Sequence, residues 1–438
     1  MPIPVKSSLV ISVLNIQVCR NLFLNDKFEL LLKLEKYFRI TILVNKKVLK
    51  MFEAKAPENM FIFDKITFLT LPNLNPLPRQ IRILNSIAFY LTFQKHNFIW
   101  MALHKKFFQM PFLTCLMIVS KLSFIKKYFR KIYFYAVLNS KQINLVYGNL
   151  PACDVYMSTS VTDMSTHEKL LGIIYSKMGA RTFATTRSWD NITTYGLLCW
   201  EPEKFLSHSD YMTLNLLKLQ KFKQKNIVQA VAPNYQHKFI KEIHNNQHGG
   251  PITIGYASLG KKNNPDDFQM LKWFANDMAN DFPEINFIIF LHPGKPKKVD
   301  FQIPDNVSIE TYYFESTTLD LYYSKLRSLD ILFCGGTSVM LDAAFCGIQT
   351  YLINFEIIKQ SYLLSALRYH DTWPHTRDFI RLSKIDKVNS KEDVRFICNE
   401  ALRGNVGEVK LKDVKKFTGD SILDFNEIIL NQLKNLQN

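Results

Sequence analysis

The stretch FCGGTSVMLDAAFCGIQTYLINFE, residues 333–356, reads as a short apolar strand, a Gly-Gly-Thr-Ser turn, a helix of small residues and a second apolar strand. That succession predicts a βαβ unit in a parallel sheet, because parallel neighbours need a crossover between them. Gly335 and Gly336 let the backbone turn tightly, and Thr337 or Ser338 is placed to cap the helix and offer a hydroxyl. The unfilled N–H groups and positive dipole end of such a helix form an anion site. The same spelling also serves turns that only pack helix against sheet, so the motif stands for a ligand loop or a packing device.

Upstream, INFIIFLHPGKP, residues 285–296, is a buried-strand run that ends in His292, with Lys295 just beyond. In parallel sheets ligands gather at the carboxyl ends of strands, where an imidazole beside lysines can donate to a phosphate oxygen. The plainer alternative is a surface histidine at a strand end. Asp342, one turn after Ser338, either supports a nucleotide ribose or stabilises the helix's first turns.

At 438 residues and 47% hydrophobic, the chain is long enough for two domains with sizeable cores. Seven cysteines form no CxxC pair and no cluster with zinc spacing, which points to a reducing compartment. The N-terminal MPIPVKSSLVISVLN reads as a first strand rather than a signal peptide. No run has the length of a membrane-spanning helix.

The net charge of +17 is concentrated: between Asp64 and Asp154 there is no acidic residue. Lysines and arginines there are interleaved with aromatic rings, most densely in FIKKYFRKIYFY, residues 124–135. Lys126, Lys127, Arg130 and Lys131 are expected on one helical side, with Phe124, Tyr128 and Phe129 reaching a headgroup layer. An anionic membrane surface is the partner this composition fits first. Nucleic acid is not expected, for want of a zinc finger or RNP-like run, and a solvated basic face is the plain alternative.

Along the chain, strands 9–15 and 39–45 flank a helix at 26–37, and helices follow around residues 80–140. INLVYG, DVYMSTS and RTFATTRSWD read as strands or strand ends, with a helix HEKLLGIIYSKMG between the last two. A second α/β half opens at PITIGYASLG, residues 251–260. The expected division is an acceptor-side domain at 1–225, a linker at 226–250, a nucleotide-donor domain at 251–415, and a helix at 416–438 packing back on the first domain. Both halves are Rossmann-like with parallel sheets, expected to face each other across a cleft.

In motif order, RSWDNITTYG, APNYQ, YASLG, the strand ending in His-Pro, and GGTSVMLDAA together resemble the GT-B-fold glycosyltransferases of surface-polysaccharide synthesis. The nearest likeness is to CDP-glycerol glycerophosphotransferase-like and capsule-type transferases. It covers most of residues 150–360, and the acceptor-side histidine motif of the glycerophosphotransferases is not recognised in the chain. The resemblance implies that His292, Thr337 and Ser338 hold the phosphates of a nucleotide-sugar donor.

Sugar transfer with inversion needs a base for the acceptor hydroxyl. Asp190 in Arg187-Ser188-Trp189-Asp190-Asn191 is the first candidate, with Arg187, Trp189 and Asn191 around the acceptor. Alternatively Asp190 or Asn191 caps a turn and Trp189 is core. Asp163 and His167 are rival bases. No metal is expected, because the chain lacks an Asp-x-Asp triplet and a helix dipole, His292 and Lys295 can meet the phosphate charge. No cofactor is expected beyond the nucleotide-sugar co-substrate. The expectation is thus a cytoplasmic enzyme, peripheral on the inner face of the cell membrane, acting on a glycan or lipid-linked acceptor. A glycerophosphotransferase-like polymer transferase, a UDP-sugar 2-epimerase-like enzyme and a non-catalytic binding protein are the alternatives.

Overall fold

A computed structural model describes residues 6–25, 27–55, 63–72, 76–92, 115, 118, 121–162, 167–236, 250–259, 266–292, 301–311, 319–360, 365, 367–407, 411–420 and 423–437. They fall into two compact units, one drawn from Met1–Asn97, Lys106–Gln236 and Thr418–Asn438, the other mainly from His237–Phe417.

The first unit is built on seven strands: β1 (Ser7–Val13), β2 (Phe38–Val44), β3 (Thr67–Thr70), β4 (Val155–Ser158), β5 (Arg181–Ala184), β6 (Lys204–Ser207) and β7 (Ile227–Gln229). Their order is β3-β2-β1-β4-β5-β6-β7, and every pairing is parallel. Leu9 to Val13 are buried without alternation, as expected for a strand covered on both faces. Ile227–Gln229 lies inside the segment read as a linker. It is instead the last strand of this sheet, because its apolar Ile-Val pair outweighs the polar residues that follow. Residues 237–249 of that segment lie outside the described ones.

Among the helices of this unit are α1 (Glu29–Glu35), α2 (Arg79–Tyr90), α3 (Ser123–Leu138), α4 (Lys141–Tyr147) and α5 (Glu168–Lys177). The run INLVYG, expected as a strand, belongs to α4. Ser140 caps it by accepting from the Ile143 N–H, and Ile143 and Tyr147, four apart, both point inward.

Helix α3 corrects the grouping of its basic residues. Lys126 is buried and donates to the Leu219 carbonyl at 2.6 Å. Arg130 donates to the carbonyls of Leu198 at 2.8 Å and Gln220 at 2.5 Å, and lies over the Phe222 ring. These two cations share the inward face with Phe129, Tyr133 and Val137. They are tolerated there because each ends on backbone carbonyls that would otherwise be unfilled. Burial accordingly pulls the Lys126 ammonium down to about 8. Phe129, expected at a headgroup layer, is core.

The C-terminal helix, Phe425–Asn435, buries Phe425, Ile429, Leu430 and Leu433 within the same unit. Asp424 caps it through the Asn426 and Glu427 N–H groups, and Lys33 of α1 bridges to Glu427 at 2.7 Å.

The second unit has six parallel strands: β8 (Thr253–Ala257), β9 (Asn286–Leu291), β10 (Val307–Thr311), β11 (Ile331–Cys334), β12 (Gln349–Ile353) and β13 (Asp386–Val388), in the order β10-β9-β8-β11-β12-β13. Helices α6 (Asp267–Trp273), α7 (Leu319–Arg327), α8 (Ser338–Phe345) and α9 (Pro374–Ser383) are among those of this unit. Its core gathers Tyr256, Phe274, Phe287, Ile289 and Phe333. In both sheets the order reverses beside the first strand, between β1 and β4 and between β8 and β11. Such a switch point opens a crevice at the carboxyl edge.

Both sheets share a further device. In the first, the fully buried Glu168 at the start of α5 accepts from Ser158 Oγ at 2.7 Å, Ser160 N at 2.6 Å and Leu14 N at 3.4 Å. In the second, Asp267 at the start of α6 accepts from Ser258 Oγ at 2.6 Å, Leu259 N at 2.8 Å and Tyr256 OH at 3.3 Å. A strand tyrosine stacks on a ring from the following helix in each case: Tyr156 on Tyr175 at 4.5 Å, and Tyr256 on Phe274 at 4.6 Å.

Candidate functional site

The carboxyl edge of the second sheet collects most of the donor-side residues. A small pocket opens at the β8/β11 switch point, bounded by Tyr256 and Leu259 from β8 and its exit, Gly335 after β11, Ile353 and Glu356 around the end of β12, and His370. Neither Gly335 nor Gly336 has a positive φ. Both are glycines for want of room: a Cβ on Gly335 would lie 2.3 Å from Leu259 Cδ1, and one on Gly336 would lie 2.7 Å from Thr376 Cγ2. The turn is therefore packed against the pocket wall on one side and α9 on the other.

Thr337 occupies the cap position of α8, in an extended conformation, but its side chain makes no capping bond. Its Oγ1 is buried and has no hydrogen-bond partner among the described residues. Ser338 is exposed at the first helical position. The expectation that one of them caps through its hydroxyl is thus corrected. The first N–H groups of α8 and the Thr337 hydroxyl remain available to an anion.

His292 follows β9 directly and is half-buried. Burial holds its imidazole below the usual value, with the nearby Asp267 carboxylate pulling the other way. It is therefore a neutral hydrogen-bond donor at pH 7 rather than a cation. Lys295 lies outside the described residues.

Glu356, which the sequence reading passed over, contributes a different chemistry. Its Oε2 accepts from the Gln360 N–H at 2.9 Å, whereas Oε1 is buried with no partner among the described residues. Next to it, Asp266 accepts from the N–H groups of Ile357 at 2.6 Å and Ile358 at 2.9 Å. Burial, with Glu356 and Asp267 adding repulsion, raises the Asp266 carboxyl above its ordinary value. This acidic side of the pocket repels phosphate and suits hydroxyl groups, while the α8 end suits phosphate. His370 closes the pocket as a neutral ring, pushed down to about 3 by burial.

Asp342 does not join this group. Its carboxylate accepts from the Tyr322 hydroxyl of α7 at 2.8 Å, a helix-to-helix contact that neither of the two expected roles foresaw.

In the first unit, β5 ends at Ala184, so the Arg187–Asn191 cluster is not a strand end but a turn leading into a single helical turn, Asn191–Thr194. Asn191 is the hub: its Oδ1 accepts from Thr186 Oγ1 at 3.0 Å, Ser188 N at 3.1 Å and Thr162 Oγ1 at 3.3 Å. Asp190 is half-buried, accepts from Asn191 Nδ2 at 3.3 Å, and receives the Thr193 and Thr194 hydroxyls on its carbonyl. Its side chain makes no capping bond. Arg187 donates to the Tyr195 hydroxyl at 2.8 Å, and Trp189 is core against Tyr211. His167 is engaged through Nδ1 with the Tyr147 hydroxyl, and burial lowers its affinity for a proton. Asp163 lies outside the described residues. Among the described residues no group of His, Cys, Asp and Glu is arranged to hold a metal ion.

Glu356 lies three residues beyond β12, whereas His292 follows β9 directly, so the strand-end position that singled out His292 does not reach it. The buried Glu168 and Asp267 have no comparable local signal.

No protein-family model and no curated protein matches the chain. Solved structures do match its fold. The glycotransferase of kitacinnamycin aligns over 99% of this chain and 100% of its own at a TM-score of 0.50 and 9% identity. The UDP-GlcNAc 2-epimerase from Neisseria meningitidis, solved bound to UDP-GlcNAc, aligns over 98% and 100% at 0.50 and 9%. The S. aureus MnaA–UDP co-structure aligns over 98% and 97%, also at 0.50 and 9%. What is shared is the fold, two parallel-sheet α/β domains of the GT-B type. Within that fold, this chain's own pocket supplies the functional argument.

Proposed function

We propose that the protein is a GT-B glycosyltransferase that takes a sugar from a nucleotide-activated donor and passes it to a membrane-associated glycan acceptor. The observation that carries the donor half is the carboxyl edge at the β8/β11 switch point, where a pocket lined by Gly335 and Glu356 opens and where Glu356 Oε1 and, two residues after Gly335, Thr337 Oγ1 are buried with no hydrogen-bond partner among the described residues. A nucleotide diphosphate presents the matching pattern. Its phosphates fit the α8 N–H groups, Thr337 Oγ1 and His292, and a ribose hydroxyl fits Glu356 Oε1. Negative charge growing on the leaving phosphate would meet a fixed dipole end and neutral donors that need no reorganisation. Asp190 is the proposed base for the acceptor hydroxyl. The membrane-associated acceptor rests on the acid-free aromatic segment between Asp64 and Asp154. Transfer of glycerol phosphate in place of a sugar would use the same donor site.

A second reading, a UDP-sugar 2-epimerase, draws on the fold shared with the Neisseria meningitidis UDP-GlcNAc 2-epimerase, solved bound to UDP-GlcNAc. Incubation with UDP-GlcNAc distinguishes them: an epimerase changes the free donor without an acceptor, whereas a transferase leaves its configuration alone. The donor site itself is tested by thermal shift and titration with UDP-, GDP-, CMP- and CDP-linked compounds. One of these should bind, and His292→Ala and Thr337→Val should each weaken it by about 1–3 kcal/mol. A chain that binds none of them, or variants that bind as the parent does, would remove the assignment.

A further inference from the structure

The outward side of α3 is the opposite of an ordinary solvent face. Phe124, Tyr128 and Tyr135 are 62%, 65% and 62% exposed, against the usual burial of such rings. With Lys127, Lys131 and Ile132 they recur at three- and four-residue spacing, which places them in one stripe along the helix. The inward side is fixed by Phe129 and Tyr133 and by the two cations that end on backbone carbonyls. A rigidly seated helix thus presents rings and ammonium groups together, in a stretch of sequence without a single acidic residue to neutralise them.

We propose that this stripe is a docking face for an anionic lipid bilayer, with α3 lying flat in the headgroup layer. It deepens the membrane part of the reading above and does not depend on the nucleotide pocket. Phenylalanine and tyrosine suit that layer because their apolar bodies enter the acyl boundary while the phenol hydroxyls stay wet. Lysine stems lie along the same boundary with the ammonium groups at the lipid phosphates. A helix of this length spans about 24 Å at 1.5 Å per residue, and lying flat it engages the whole stripe at once. A protein partner would need acidic complementarity to both lysines, and a nucleic acid would leave Phe124 and Ile132 without an apolar environment.

Vesicle flotation of the full chain tests the proposal, with phosphatidylcholine vesicles and phosphatidylcholine vesicles containing phosphatidylglycerol. The parent should float only with the anionic vesicles, and less as salt rises. Lys127→Gln with Lys131→Gln should lower partitioning about 25-fold, about fivefold per lysine. Phe124→Ser with Tyr128→Ser and Tyr135→Ser should lower it even at low salt. All these variants should keep the parent's unfolding temperature and nucleotide affinity, so loss of flotation reports the surface and not the fold or the donor site. A parent that stays unbound with anionic vesicles at low salt overturns the proposal. So does a parent that captures a single-stranded oligonucleotide in preference to vesicles, or stripe variants that float like the parent.

Discussion

Replacing Glu356 with glutamine separates a binding role from a structural one by the sign of two effects. Oε1 is buried with no partner among the described residues, and the carboxylate repels Asp266. A buried unsatisfied polar group costs about 1–3 kcal/mol, more when charged. Glutamine removes the charge and keeps an oxygen for the Gln360 N–H, so the free chain should become more stable by about 1 kcal/mol. With a nucleotide bound, the parent gains a hydroxyl-to-carboxylate bond worth about 1.5–3 kcal/mol, and the variant only a neutral bond worth about 0.5–1.5. The deficit of about 1–1.5 kcal/mol is roughly a tenfold weaker Kd. Calorimetric titration with the best nucleotide, alongside thermal unfolding without it, measures both. Higher unfolding temperature with weaker binding is the expected pair. Unchanged affinity refutes the hydroxyl contact, and a fall in both quantities shows that Glu356 serves the fold.

Asp190→Asn should leave nucleotide affinity intact and slow transfer by about 100-fold or more, because a positioned base supplies factors of that order; a single-turnover rate equal to the parent's would demote Asp190 to a turn residue. His208 predicts an acid limit. It is fully buried, its Nε2 meets Thr185 Oγ1 at 2.9 Å, and burial pushes its pKa down to about 4 from an ordinary 6.5. With the folded value depressed, stability is full above about 6.5 and is lost as pH falls toward about 4, in all roughly 3 kcal/mol. His208→Phe should flatten this part of the stability profile in urea unfolding across that range, and an unaltered slope would contradict it.

The alternation of apolar runs with helical spacing was enough to read both parallel sheets, because a doubly covered strand advertises itself as an unbroken apolar stretch. The same signal failed at INLVYG, where six residues fit strand or helix equally and the choice was made by Ser140 and by what Ile143 and Tyr147 pack against. It failed also at Lys126 and Arg130. Helical spacing put the four cations on one side, whereas the carbonyls of Leu198, Leu219 and Gln220, some 68 to 93 residues away in sequence, turn two of them inward. At the site, His292 and the Gly-Gly-Thr-Ser turn were legible because both stand at strand ends. Glu356 became visible only once its unpartnered oxygen was placed at a pocket wall. The buried carboxylates at the helix starts depend on donors that arrive from other strands.

Those two carboxylates bear on how a ligand would be received. Ser158 and Glu168 are ten residues apart, Ser258 and Asp267 nine, and in the second case one methylene fewer accompanies the shorter spacing. Each ties the end of a strand beside its switch point to the start of the following helix by a charged hydrogen bond, next to a stacked pair of aromatic rings. The strand end and the helix start are therefore already held together in the free protein. A nucleotide entering beside Leu259 would find that residue's backbone already held by Asp267, and the free energy of its contacts there would appear as affinity rather than being absorbed in positioning it.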